Sequence, residues 1–150
     1  MPDPIAPAKP SLRLARRYEV APPKVWRAWT DPKALSAWFG PGGPNSVTLA
    51  QADVRVGGRL HIVLRAADGG ESDVSGTYRE VVFERKLVFT WAWKSTPERE
   101  SLVTITLEPQ GIGTLMTLVH EQFYDQAAAD GHQRGWSASL DHLARHLDQP

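Results

Sequence analysis

Arg16–Pro41, RRYEVAPPKVWRAWTDPKALSAWFGP, runs from a strand through a proline pair into two short helices, and that order limits what the rest of the chain can build. Reading back to Ser11, SLRLARRYEV alternates: Leu12, Leu14, Tyr18 and Val20 share one strand face, and Arg13, Arg17 and Glu19 the other. Arg16 breaks the alternation by joining the apolar face. Pro22 and Pro23 suit the opening turn of a helix, where a missing N–H costs little, and Val25, Trp26 and Trp29 follow at helical spacing to about Thr30. Asp31 then caps a second helix with Pro32 in its first position and Leu35, Trp38 and Phe39 on one face. GPGGPN (Gly40–Asn45) ends it.

Beyond this segment the chain reads as six strands: SVTLAQADV, RLHIVLR, DVSGTYREVV, KLVFTWAW, SLVTITLE and TLMTLVH. Their linkers are short enough for hairpins, so neighbours are expected to pair antiparallel in a meander, and the N-terminal strand makes seven. The last segment, from about Gln126 to Asp148, carries Trp136, Leu140, Leu143 and Leu147 along one face of a long helix. Strand, two helices, six strands and a long helix form an α+β unit over residues 11–150, preceded by a proline-rich segment, residues 1–10, expected to be a disordered leader.

Composition narrows the function classes. In 150 residues, 17 lysines and arginines balance 17 aspartates and glutamates, which argues against general attraction to nucleic acid or an anionic membrane. No stretch approaches a membrane-spanning apolar run. Cysteine is absent, so thiol chemistry and thiolate metal sites are excluded, and a reducing cytoplasm is the expected setting. No GxSxG, HExxH or phosphate-binding loop occurs, so no cofactor, metal ligand or catalytic residue is assigned.

A seven-stranded antiparallel sheet curls around the one long helix available to cover it, and that helix is too narrow to fill the concave face. The remaining volume must be filled by large side chains or stay open. The supply is Trp26, Trp29, Trp38, Phe39, Phe89, Trp91, Trp93 and Trp136. The run RRYEVAPPKVWRAWTDPKALSAWFGP, followed by ADVRVGGRLHIVLR, SGTYREVV, ERKLVFTW, LVHEQF and GHQRGWSASLDHLARHL, resembles the SRPBCC (START-like) superfamily. Within that superfamily it is most similar to the branch named after the activator of the 90-kDa heat-shock-protein ATPase. The resemblance covers Arg13 to Leu147. It implies the helix-grip fold, a curved antiparallel sheet around a long C-terminal helix over an apolar cavity. It also implies functions ranging from carriage of a small apolar or amphipathic molecule to partnership with a chaperone, with a cyclase- or hydrolase-like enzyme as a further alternative.

The ligand-binding candidates follow from this geometry. Phe89, Trp91 and Trp93 share a strand face, and at least one is expected to wall the cavity. Met116, Leu118 and His120 share a face of the last strand, and His120 is either a proton donor or acceptor toward a ligand or a hydrogen-bonded structural histidine. His132 lies on the helical row of Trp136 and Leu140, flanked by Gly131 and Gly135, whose bareness leaves two readings: a helix entrance that kinks or opens around a functional His132, or, as the favoured one, close helix-to-sheet packing. Arg16, expected to be buried, would hold a carboxylate ligand or a structural acid. Trp26 and Trp29 are expected to be the buried pair, with Trp38 and Phe39 bordering the entrance next to the glycines. His142 and His146 are read as a solvated face.

Overall fold

The structure is a computed structural model that describes residues 9–43 and 45–149. The leader expected over residues 1–10 lies outside the described residues as far as residue 8, while Pro10 already accepts a hydrogen bond from the Phe123 amide at 3.1 Å. The elements in chain order are β1 (Leu12–Tyr18), α1 (Pro22–Thr30), α2 (Pro32–Trp38), β2 (Val47–Ala52), β3 (Arg59–Arg65), β4 (Glu71–Val82), β5 (Lys86–Trp93), β6 (Ser101–Gln110), β7 (Gly113–Glu121) and α3 (Gln126–Leu147).

The seven strands form one antiparallel sheet in the order β1-β7-β6-β5-β4-β3-β2. From β2 to β7 it is the expected meander. β1 closes it by pairing with β7, Leu12 opposite His120 and Tyr18 opposite Thr114, so the first and last strands are neighbours. Register shifts in β2 (Val47/Leu49) and β4 (Tyr78/Glu80) are the bulges that increase twist and bend a sheet. Near the second bulge the backbones of β4 and β5 approach closely: a Cβ on Gly76 would lie 1.7 Å from the Thr90 carbonyl oxygen, so only glycine fits.

Local chemistry sets the helix boundaries as anticipated. Prolines occupy the first turn of α1, and Asp31 caps α2 by accepting from the Lys33 amide at 3.0 Å. Gly40, at φ +92°, turns the chain away after α2, a conformation that glycine adopts without steric cost. Asp125 caps α3 by accepting from the Ala128 amide at 2.8 Å. At the other end of α3, Lys24 of α1 donates to the carbonyls of Leu147 (2.8 Å) and Gln149 (2.9 Å), setting a cation where the helix dipole favours one.

α3 packs against β1, α1 and α2. Its 22 residues, at 1.5 Å each, reach about 33 Å along the sheet. The architecture is the α+β helix-grip fold. Among the described residues, no helix is long and apolar enough to cross a membrane.

Candidate functional site

Strand β5 records the change from core to cavity along a single face. Leu87 and Phe89 are buried, Phe89 meeting the Tyr78 ring edge-on with centroids 5.8 Å apart. Two residues on, Trp91 floors a cavity of about 680 Å³, and two further, half-buried Trp93 forms its wall. Phe39 and Trp136 complete an aromatic lining, with Trp136 5.2 Å from Trp91 and 5.6 Å from Phe39 between ring centroids. The mouth is formed by exposed residues of two turns, Pro41 and Gly42 after α2 and Ala66 and Ala67 after β3.

The opposite wall is α3 from its first turn to just past its middle, where Ala127, Gly131, Gly135 and Ser139 form a row of small residues at four-residue spacing. The glycines do not reflect close helix-to-sheet packing, as their sequence context suggested. Among the described residues, a Cβ on Gly135 would meet nothing within 4 Å, and one on Gly131 only the end of Arg134 at 3.9 Å. Here the helix surface faces open space.

Behind the aromatic wall two histidines are fixed by indoles. The Trp136 indole N–H donates to His120 Nδ1 (3.0 Å), so His120 carries its proton on Nε2 and donates it to Ser101 Oγ (2.7 Å), which in turn donates to the Trp91 carbonyl (3.3 Å). His120 is completely buried, and burial, reinforced by nearby His132, pushes its pKa down to about 2. Its ring is neutral with both nitrogens engaged. His132 has the opposite tautomer: Nδ1–H donates to the Ala128 carbonyl (2.8 Å), and Nε2 accepts from both Trp93 (2.9 Å) and Trp91 (3.3 Å). Burial lowers its pKa against the opposing effect of the Ala128 bond. No carboxylate hydrogen-bonds either ring among the described residues. Ser101 was legible only as a polar residue in the inward row Ser101, Val103, Ile105 and Leu107.

Phe39, Trp91, Trp93, His132 and Trp136 thus come together around the cavity. The other candidates lie elsewhere. Trp38 does not border the entrance: it is completely buried, its indole N–H donates to the Ala28 carbonyl (2.9 Å), and its ring sits 4.8 Å from Trp29. Phe89, Leu118 and Leu140 are packed in the core, as is Met116, whose sulfur accepts from the Trp29 indole at 3.3 Å. His120 lies behind the wall. Arg16 does occupy the apolar row of β1, but its guanidinium is not buried against an acid; it is half-exposed and donates to the adjacent Ala15 carbonyl (3.0 Å). His142 is not on a solvated face either, because its Nδ1–H donates to the Gly40 carbonyl (3.0 Å) and ties the turn after α2 to α3. His146 is half-buried, with its pKa lowered by burial and by Lys24.

A second, polar depression of about 490 Å³ lies on the opposite face of the sheet, among Gln51, Asp53, Arg59, His61 and Ser75, with His61 bonded to Asp73 at 2.9 Å.

No curated protein matches the chain. Several solved structures do. Protein CV1439 of Chromobacterium violaceum is 28% identical, with 94% of this chain and 99% of that one covered and a TM-score of 0.80. For the AHSA1 protein of Silicibacter pomeroyi the identity is 29%, the coverage 92% and 97%, and the TM-score 0.78. CalU16 of Micromonospora echinospora is 27% identical over 92% of this chain and 76% of its own, with a TM-score of 0.67. The family described as activator of Hsp90 ATPase homolog 1-like protein matches residues 19–148, from the end of β1 through α3. The chain belongs to the family of activator of Hsp90 ATPase homolog 1-like proteins.

Proposed function

We propose that the protein binds one small, largely apolar molecule in the cavity between β5, the turn after α2 and the N-terminal half of α3, without transforming it. The observation that carries this reading is the cavity itself: about 680 Å³, walled by four aromatic side chains. That volume lies in the usual range for small-molecule sites, roughly 300–1,000 Å³. The helix glycines strengthen the case. Glycine in a helix interior costs about 0.5–1 kcal/mol relative to alanine, and at Gly135 no packing contact explains it. A non-catalytic role fits the histidines, since His120 has both nitrogens engaged by protein and, among the described residues, no acid at hydrogen-bonding distance. The absence of cysteine makes the cytoplasm part of the same proposal.

Titration of intrinsic tryptophan fluorescence with fatty acids, aromatic polyketides and sterols tests it, because Trp91, Trp93 and Trp136 all border the cavity. Saturable quenching or a spectral shift with at least one class is expected; no response to any class, at concentrations up to solubility, refutes the reading.

The family's name favours a second reading, docking to a chaperone ATPase, for which exposed Phe83 and Ile112 on two hairpin turns offer apolar contacts. Stimulation of a 90-kDa heat-shock-protein ATPase that is lost in Phe83→Ala/Ile112→Ala would support it. No stimulation would leave the cavity as the site of function.

A further inference from the structure

Building on the cavity reading, we infer that the ligand is a neutral aromatic carbonyl compound, its rings against Phe39, Trp91 and Trp136 and its carbonyl oxygen accepting the indole N–H of Trp93. At one corner of the wall donors outnumber acceptors. Trp93 and Trp91 both donate to His132 Nε2, at 2.9 and 3.3 Å. His132 Nδ1–H donates to the Ala128 carbonyl (2.8 Å), so Nε2 holds the ring's single lone pair, and two indoles divide it. Trp91 is buried, whereas Trp93 is half-buried, and both line the cavity with His132. A carbonyl oxygen that takes the Trp93 N–H leaves the lone pair to Trp91 alone, and each group of the corner then has a partner of its own.

The cavity also selects against charge. Arg65 reaches its rim, but the alternation of β3 turns Leu64 inward and carries the Arg65 guanidinium, bonded to Glu71 at 3.3 Å, to the sheet face of Arg59 and His61. Among the described residues no other lysine, arginine, aspartate or glutamate lines the cavity, and burial lowers the pKa of His132. A charged ligand would lose its water there without gaining a counter-charge. At the Trp93 corner the ligand group must accept without donating, because the two indoles already claim the His132 lone pair; a ketone, quinone or ester meets that condition and an alcohol does not. The Ser72 hydroxyl, at the exposed rim on the inward row of β4, has no hydrogen-bond partner among the described residues and is the rival donor. The aromatic wall favours an aromatic body, because indole and phenyl rings meet another ring in offset-stacked or edge-on contact with more than area burial alone.

The test compares two planar probes of nearly equal shape, 2-acetylnaphthalene and the hydrocarbon 2-isopropenylnaphthalene, by tryptophan fluorescence titration of wild type, Trp93→Phe and Ser72→Ala. The quantity read is the change in the ratio of the two affinities between proteins, so that the probes' different solubilities in water cancel. Trp93→Phe keeps a ring in the wall and leaves Trp91 its acceptor; it should weaken the ketone about three- to tenfold relative to the hydrocarbon, the loss of one neutral hydrogen bond. Ser72→Ala should leave the ratio within about twofold of wild type, a smaller change than that bond is worth. Infrared spectra of carbonyl-labelled 2-acetylnaphthalene give a second readout: bound to wild type its carbonyl stretch should lie below its position in hexane, and in Trp93→Phe it should return toward that position. A wild-type band at the hexane position, a ratio unchanged in Trp93→Phe, or a ratio that falls in Ser72→Ala instead overturns the Trp93 assignment and leaves the cavity reading standing. No binding of either probe overturns this assignment, and failure of the wider ligand panel as well removes the cavity reading with it.

Discussion

The two halves of α3 lie on the same sheet and do opposite things. In the C-terminal half, Leu140, Leu143 and Leu147 are buried, the Leu140 carbonyl accepts from the Tyr18 hydroxyl at 3.3 Å, and Lys24 ties down the end. In the N-terminal half, Ala127, Gly131 and Gly135 face a cavity. Trp136 marks the boundary: its ring reaches Trp29 on the packed side (6.0 Å) and Trp91 on the open side (5.2 Å). A domain of this size has enough apolar side chains to fill its interior, so leaving one end open while packing the other is a feature of this sequence rather than a shortage of material.

The sharpest way to break this contrast is at the boundary. Trp136→Ala should cost about 3–5 kcal/mol in urea unfolding, the range for large-to-small changes in a packed core, because it removes ring contacts and the donor to His120 together. A loss under about 1 kcal/mol would reject Trp136 as the anchor of the packed half.

The next effect is in pH. His120 is neutral in the folded protein, with its pKa lowered from 6.5 to about 2, so below pH 6.5 the unfolded chain takes up a proton that the folded one refuses. This contribution to stability is fully present above pH 6.5 and is lost progressively as the pH falls toward 2. Between pH 7.5 and 5 the loss is about 2 kcal/mol, and the depressed pKa of His132 acts in the same direction. His120→Gln should flatten this part of the stability profile. An equally steep profile in that variant would assign the acid sensitivity to other groups.

A smaller difference is expected within β5. Trp93 is half-buried at the cavity wall, so Trp93→Ala should destabilise by only about 1 kcal/mol, whereas Phe89→Ala, in the packed part of the same strand face, should cost about 3–5 kcal/mol. Equal losses would erase the distinction between the two ends.

How much of this was legible in the sequence follows the same division. Alternation located the strands, and prolines with Asp31 located the two short helices, because those signals are local. The row Ala127, Gly131, Gly135, Ser139 was also present, but glycines beside a bulky tryptophan favour a reading of close packing, and only the distance to the sheet shows open space instead. Trp38 and Phe39 show the limit most clearly. Both precede the glycines, and both were placed at the entrance; in fact Trp38 turns back onto α1 and Phe39 turns forward into the cavity. Neighbouring residues at the end of a helix diverge in direction, and only the position of α1 decides which one is covered. The link from His142 to Gly40, 102 residues apart, has no local trace at all.

The central claim is that the open end of the helix is kept open for a ligand, and Gly135→Leu tests it most directly. Among the described residues, a Cβ at this position meets nothing within 4 Å, so the longer side chain has room to extend into the cavity. Urea unfolding and tryptophan fluorescence titration with the fatty acids, aromatic polyketides and sterols would be measured side by side on the variant and wild type. The account predicts stability unchanged or raised, by about 0.5–1 kcal/mol from helix propensity alone, together with loss of probe binding. A variant destabilised by more than about 1 kcal/mol would show that the glycine was packed after all, and undiminished binding would show that the cavity is not the site.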